Sequence, residues 1–163
     1  IDPTAEQSTV LIVGGSLLAL HNLRAATADV DSCVRLATPV VEAVRRVAAH
    51  HHLAIDWLND HSAAWHPATL RPHHCDIVVD HPRLLVLAAP LWAVFLMKLN
   101  RSQPQDVADM IPIWPLVREG FPTAKSVTDA YYLAFPFERV DPHLSAQVVH
   151  VASQAGWALP ANS

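Results

Sequence analysis

Two short segments carry the residue types best suited to chemistry: Gly14-Gly15-Ser16 and Asp29-Val30-Asp31. On a strand, residues two apart project from the same face, so Asp29 and Asp31 would stand together while Val30 turns toward a core. Like charges that close repel and need compensation. A hard divalent cation such as Mg²⁺, which prefers carboxylate and phosphate oxygens, supplies it. The glycine pair adds the complementary part. Backbone without Cβ atoms comes close to a phosphate, and N–H groups at the start of a following helix, with the Ser16 hydroxyl, bind the anion. The two segments together suit a triphosphate and its metal ion. Each has a plainer reading alone: Gly-Gly-Ser punctuates many strands, and Asp-x-Asp sits in many solvated turns and edge strands.

These residues need a frame. Thr9-Val10-Leu11-Ile12-Val13 is a β-branched run that predicts a buried strand stopped by the glycines, with Ser16 as N-cap of a helix through Leu17, Leu18 and Leu20. A second strand is expected around residues 27–36, and a helix over Val40–His51 with Pro39 in its first turn. Residues 53–58 read either way, and 59–74 read as loop. Cys75–Val79 and Leu84–Leu87 flank Asp80-His81-Pro82-Arg83, which predicts a hairpin. After Pro90 a helix is expected to about Asn100, then helices near 105–118, 123–134 and 142–155, with Pro104, Pro122 and Pro142 at their starts. Pro112 and Pro115 predict that the first of these three is cut short. The order gives an α/β (α+β) fold: a small mixed sheet with flanking helices over residues 9–100, and a helical C-terminal extension over 101–163 packed with it as one unit.

Composition supports a packed core. Of 163 residues, 52% are hydrophobic and 16% charged. The apolar run Leu84–Met97 is broken by Pro90 and stopped by Lys98, too short for a membrane span. No signal peptide is read, and two cysteines, Cys33 and Cys75, allow at most one bridge, which suits a reducing cytoplasm. The net charge of −4 weighs against a large polyanionic partner, and eleven histidines soften that objection near neutral pH.

Strand, Gly-Gly-Ser, helix, then Asp-x-Asp is an order characteristic of nucleotidyl transfer. Residues 12–20 (IVGGSLLAL) and 23–31 (LRAATADVD) resemble the signature of minimal nucleotidyltransferases, among them the AbiEii-type abortive-infection toxins and the mycobacterial MenT toxins. Asp56-Trp57-Leu58-Asn59-Asp60 is similar to a segment often found after the first helix in smaller members. Leu96-Met97-Lys98-Leu99, with Arg101, Asp106 and Asp109 beyond, is similar to the family's third motif, although Gln105 stands where a basic residue is usual. The match spans roughly residues 10–115, and beyond it only Tyr131-Tyr132 before a proline-containing turn is familiar.

The resemblance implies roles. Gly15 and Ser16 hold the triphosphate, with Thr27 as the usual hydroxyl residue before the first Asp. Asp29 and Asp31 coordinate Mg²⁺, and one of them helps activate the acceptor hydroxyl. Lys98 binds phosphate oxygens, Arg101 and Asp106 contribute to nucleotide binding, and Asp106 or Asp109 completes the site. Lys98 and Asp109, eleven apart, would share a face of one continuous helix, but Pro104 argues for a break. Asp56, Asp76 and Asp80 are candidates for a third metal carboxylate, and turn chemistry is the rival for each, favoured for Asp80 and also for Asp60. The implied activity is transfer of a nucleotide from a nucleoside triphosphate to the 3′ end of tRNA, blocking translation, by a toxin restrained by a cognate antitoxin. Arg24, Arg35, Arg45, Arg46, Arg71 and Arg83 could face the RNA, with surface solvation the default for each. The rivals are AMP transfer to a protein or small molecule, and a non-catalytic binding module. The dense histidines (His50-His51-His52, His61, His66, His73-His74) lack a familiar zinc spacing and suit helix ends better. The tryptophans at 57, 65, 92, 114 and 157 suit core packing more than interface anchoring.

Overall fold

Strand β1, Ser8–Val13, is the centre of the sheet. Val10, Leu11, Ile12 and Val13 are all buried, so the strand is apolar on both faces, as an interior strand requires. It belongs to a computed structural model that describes residues 6–160 and divides into two compact units. The first runs to His66 and resumes over Arg71–Pro90; the second comprises Pro67–Leu70 and everything from Leu91. The expected boundary near residue 100 falls at the end of a helix, whereas the division comes at Pro90.

In the first unit β1 leads directly into α1, Gly14–Leu20. Strand β2, Val30–Ser32, runs antiparallel to β1 with Ile12 opposite Ser32 and Val13 opposite Asp31. Helix α2, Thr38–His51, buries Val40, Val44 and Ala48 on one stripe and carries His50 and His51 in its last turn, where the carbonyl ends favour positive charge. It crosses to β3, Leu58–Asn59, parallel to β2. The hairpin β4, Asp76–His81, and β5, Leu84–Ala88, completes a mixed five-stranded sheet in the order β3-β2-β1-β5-β4, with β5 parallel to β1. The expected loop at 59–74 holds two 3₁₀ turns, His61–Trp65 and Pro72–His74. The hairpin turn contracts to Pro82-Arg83, since Asp80 and His81 remain in the ladder.

The second unit is helical: α3, Leu91–Arg101; α4, Pro104–Val117; α5, Ala124–Ala134; and α6, Leu144–Gln154. Pro104 separates α3 from α4, with Ser102 at φ 50 in the break. Contrary to expectation, Pro112 and Pro115 do not cut α4 short. Each removes one backbone donor, while Met110, Ile113, Trp114 and Val117 bury a continuous apolar stripe that holds the helix together. Thr123 caps α5 by accepting from Ser126 N at 3.1 Å, and Ser126 Oγ accepts from Thr123 N in return. No helix among the described residues is long and apolar enough to cross a membrane.

Phe95 and Trp114 are the largest fully buried side chains of this unit, with ring centroids 5.6 Å apart. Trp114 Nε1 has no hydrogen-bond partner among the described residues. Phe95→Ala is therefore expected to cost about 3–5 kcal/mol. Trp114→Phe sets lost ring contacts against removal of a donor whose unmet burial costs about 1–3 kcal/mol. Urea unfolding should place its midpoint far closer to wild type than that of Phe95→Ala.

Candidate functional site

The first unit gathers six of the residues in question around the end of β1. Gly14 has φ +66, a left-handed conformation that turns the chain out of the strand. A Cβ on Gly14 would overlap Asp31 Oδ2, so the carboxylate occupies the space that a side chain would need. This closeness follows from the ladder, in which Asp31 stands opposite Val13, the residue before the turn. Gly15 is crowded in a different way. A Cβ there would sit 2.6 Å from Arg24 Nη1 and 2.9 Å from Thr27 Oγ1. The segment after α1 therefore folds back over the glycine pair.

Ser16 does not cap α1, which begins two residues earlier at Gly14. The residue lies buried inside the first turn, and its hydroxyl donates to Val13 O at 3.0 Å. Thr27 Oγ1 shares its proton between Asp29 O at 3.1 Å and Asp29 Oδ1 at 3.2 Å, fixing the orientation of that carboxylate. Asp29 itself is exposed and precedes β2 by one residue, so strand alternation positions Asp31 while Thr27 positions Asp29. Asn59 is in register with Asp31 on β3 and therefore shares its face of the sheet. It is buried, and its Oδ1 accepts from His61 N at 3.0 Å.

The three carboxylates considered as further metal ligands have other places. Val78 is an extra residue at a bulge, so Asp76 lies opposite Ala88 and Asp80 opposite Leu85, on opposite faces of the hairpin rather than in step. Asp80 accepts from Gln7 Nε2 at 3.3 Å. Asp60 accepts from Leu36 N at 3.0 Å and pairs with Arg35 at 3.5 Å, which is the turn chemistry expected of it. Asp56 is exposed, and its backbone carbonyl accepts from Asn59 Nδ2 at 3.4 Å. Among the described residues no three His, Cys, Asp or Glu side chains come together as a metal group.

In the second unit Lys98 is buried and committed. Its Nζ lies 2.7 Å from Asp109 Oδ2 and 3.2 Å from Asp106 Oδ1. Arg101 grips Asp106 with two bonds, Nε to Oδ2 at 2.7 Å and Nη2 to Oδ1 at 2.6 Å. Gln103 N donates to Asp106 Oδ2 at 3.1 Å, and Gln105, at the position expected to be basic, donates to Asp109 Oδ1 at 3.0 Å. The break at Pro104 folds α4 back so that the Asp pair meets Lys98, which a continuous helix would not require. Burial acts to raise the Asp106 carboxyl, but the Arg101 fork and the Lys98 charge outweigh it and hold the group below the ordinary aspartate value. Lys98, Asp106 and Asp109 thus form a buried cluster with the half-exposed Arg101 at its edge, two cations against two carboxylates.

The chain matches no protein-family model, no curated protein and no solved structure. Other side chains are poor nucleophiles. Burial, with Cys75 nearby, pushes the Cys33 thiol up to about 12, and burial also raises Cys75. Burial, with Glu138 nearby, lifts the Tyr131 hydroxyl to about 12, and it donates to Asn100 Oδ1 at 2.7 Å. The residue that sequence reasoning undervalued is Arg24. Its type suggested a solvated surface charge, and only the return of the chain over Gly15 reveals its place.

Gly14→Ala should destabilise the protein by at least about 1–2 kcal/mol from the left-handed backbone alone, before any displacement of Asp31 is added. Guanidinium unfolding would measure it, and Gly120→Ala, where a Cβ meets nothing within 4 Å, is the control. For the network, Lys98→Met leaves the buried Asp109 without its cation, while Asp106 keeps Arg101, and should cost about 3–5 kcal/mol. The lowered Asp106 pKa gives a sign in acid. Below pH of about 4 the unfolded chain binds a proton that the folded chain refuses, so this stabilisation is present above that pH and lost as pH falls through the folded value. Thermal melts from pH 7 to 2.5 should show that slope in wild type, and Asp106→Asn should flatten it.

Proposed function

We propose that the chain is a magnesium-dependent nucleotidyltransferase with a nucleotidyltransferase-like fold. The observation that carries the reading is the meeting of Asp31 with Gly14 at the end of β1, with Asp29, two residues before it, oriented by Thr27. A carboxylate pair set against a side-chain-free turn is a donor set of hard oxygens next to backbone that a phosphate can approach. Asp29 and Asp31 fit Mg²⁺ by this chemistry, and a bound ion would neutralise phosphate charge in the transition state.

The chain's own residues then do three things. Gly14 and Gly15 admit the triphosphate against the backbone, and Thr27 keeps Asp29 in one orientation. An acceptor hydroxyl attacks the α-phosphorus in line; the new O–P bond forms as the bond to the β-phosphate oxygen breaks, and pyrophosphate leaves. The hydroxyl proton passes to the exposed carboxylate of Asp29. Most of the rate comes from positioning and charge stabilisation. On the family resemblance, the acceptor is the 3′ end of tRNA and the protein is the cytoplasmic toxin of a toxin–antitoxin pair. The placement of Lys98, Asp106 and Asp109 favours a supporting role in the second unit over direct phosphate binding, because their charges are already matched.

The test is transfer of label from each α-³²P nucleoside triphosphate, with Mg²⁺, to total tRNA or to protein. Label should appear on tRNA and fall by about 100-fold or more in Asp29→Ala, the loss expected for several kcal/mol of transition-state stabilisation. Label on protein or on a small molecule would move the assignment to AMP transfer. A folded wild-type protein that labels nothing and binds no triphosphate would favour a non-catalytic module.

A further inference from the structure

Arg24 is half-buried, lies over Gly15 with Thr27 beside it, and makes no hydrogen bond, ion pair or ring contact with any other described residue. Arginine partly withdrawn from water is ordinarily paired, because its five donors lose water and need acceptors. By contrast Arg35, in the same unit, is far more exposed and holds Asp60. Arg24 instead points its guanidinium at a glycine whose missing side chain makes the approach possible. Two acidic side chains, Asp29 and Asp31, are on the same turn-and-strand assembly, yet the fork engages neither.

We infer that Arg24 is the phosphate-binding arginine of this site, gripping non-bridging oxygens of the triphosphate and of the departing pyrophosphate across Gly15. The inference rests on the nucleotidyltransferase reading and deepens it, since it assigns the cation for the leaving group to the first unit rather than to Lys98. The planar fork suits two phosphate oxygens at once, which a lysine point charge does not. Gly15 is part of the same device: a Cβ there would meet both Arg24 Nη1 and Thr27 Oγ1 and push the fork off the turn.

The experiment measures binding of magnesium tripolyphosphate and of magnesium ATP by calorimetry, and label transfer with each triphosphate, for wild type, Arg24→Gln, Arg24→Lys and the control Lys125→Gln. The control makes the same charge change at an exposed residue. Arg24→Gln should weaken tripolyphosphate binding by about 10-fold or more and lower kcat/KM by about 100-fold, the range for losing one preorganised donor group. Arg24→Lys should recover part of the binding and less of kcat, and Lys125→Gln should match wild type. If Arg24→Gln melts early, Arg24→Met, which keeps the apolar stem, carries the same comparison. An active wild type with Arg24→Gln or Arg24→Met indistinguishable from it overturns the assignment of Arg24 and leaves the nucleotidyl reading standing. A wild type that neither binds triphosphate nor transfers label overturns both.

Discussion

At Gly14 the chain leaves β1 with a positive φ, and the space beside that turn belongs to Asp31 Oδ2. Both features come from one constraint. β2 pairs antiparallel to β1 in a register that sets Asp31 opposite Val13, so the carboxylate reaches the turn as the turn begins. Any side chain at Gly14 would contest the conformation and the volume together. The neighbouring positions inherit the arrangement: Gly15 admits Arg24 and Thr27, and Thr27 aims Asp29. The local backbone is spent on bringing charged groups together rather than on core packing, which begins again at Leu17 and Leu18.

The two units handle charge in opposite ways. In the second, Lys98 and Arg101 meet Asp106 and Asp109 in a paired set whose hydrogen bonds also engage the Gln103 backbone and the Gln105 side chain. Such a set is costly to break. In the first, Arg24 has no partner among the described residues. A folded chain gains nothing by holding a half-buried guanidinium over a glycine without a bonded acceptor, and that makes the position more informative than a paired network.

Much of the fold was legible. The β-branched run ending in glycine, the stripe Val40, Val44, Ala48 and the prolines at helix starts each mark an element by local physics. What misled were features decided by packing or pairing. Pro112 and Pro115 predict a break from local chemistry alone, and the buried stripe of α4 overrides it. Asp76 and Asp80 alternate correctly in sequence, and a bulge at Val78 separates them. Ser16 looks like a cap, but α1 starts two residues before it, at Gly14. At the site, Asp29, Asp31 and Gly15 were visible as types and spacing. Arg24 and Asn59 were not, since one depends on a chain reversal and the other on a strand register, neither of which leaves a periodic mark.

Asn59 bears on how a metal would reach the proposed site. It stands beside Asp31 on the next strand and on the same face, the position from which a third carboxylate could join the pair. An amide there adds an oxygen but no charge, and that oxygen already receives the His61 N–H. The acidic groups at the turn therefore number two, Asp29 and Asp31, and no third assembles among the described residues. Mg²⁺ dehydrates reluctantly and is usually held by one or two carboxylates together with substrate phosphates rather than by an all-protein cage. On the proposed reading, the ion and the triphosphate enter as one species, the carboxylates taking the metal side while Arg24 takes the phosphate side. A third negative charge would bind the ion more firmly in advance, at the cost of repelling the polyanion that must follow it.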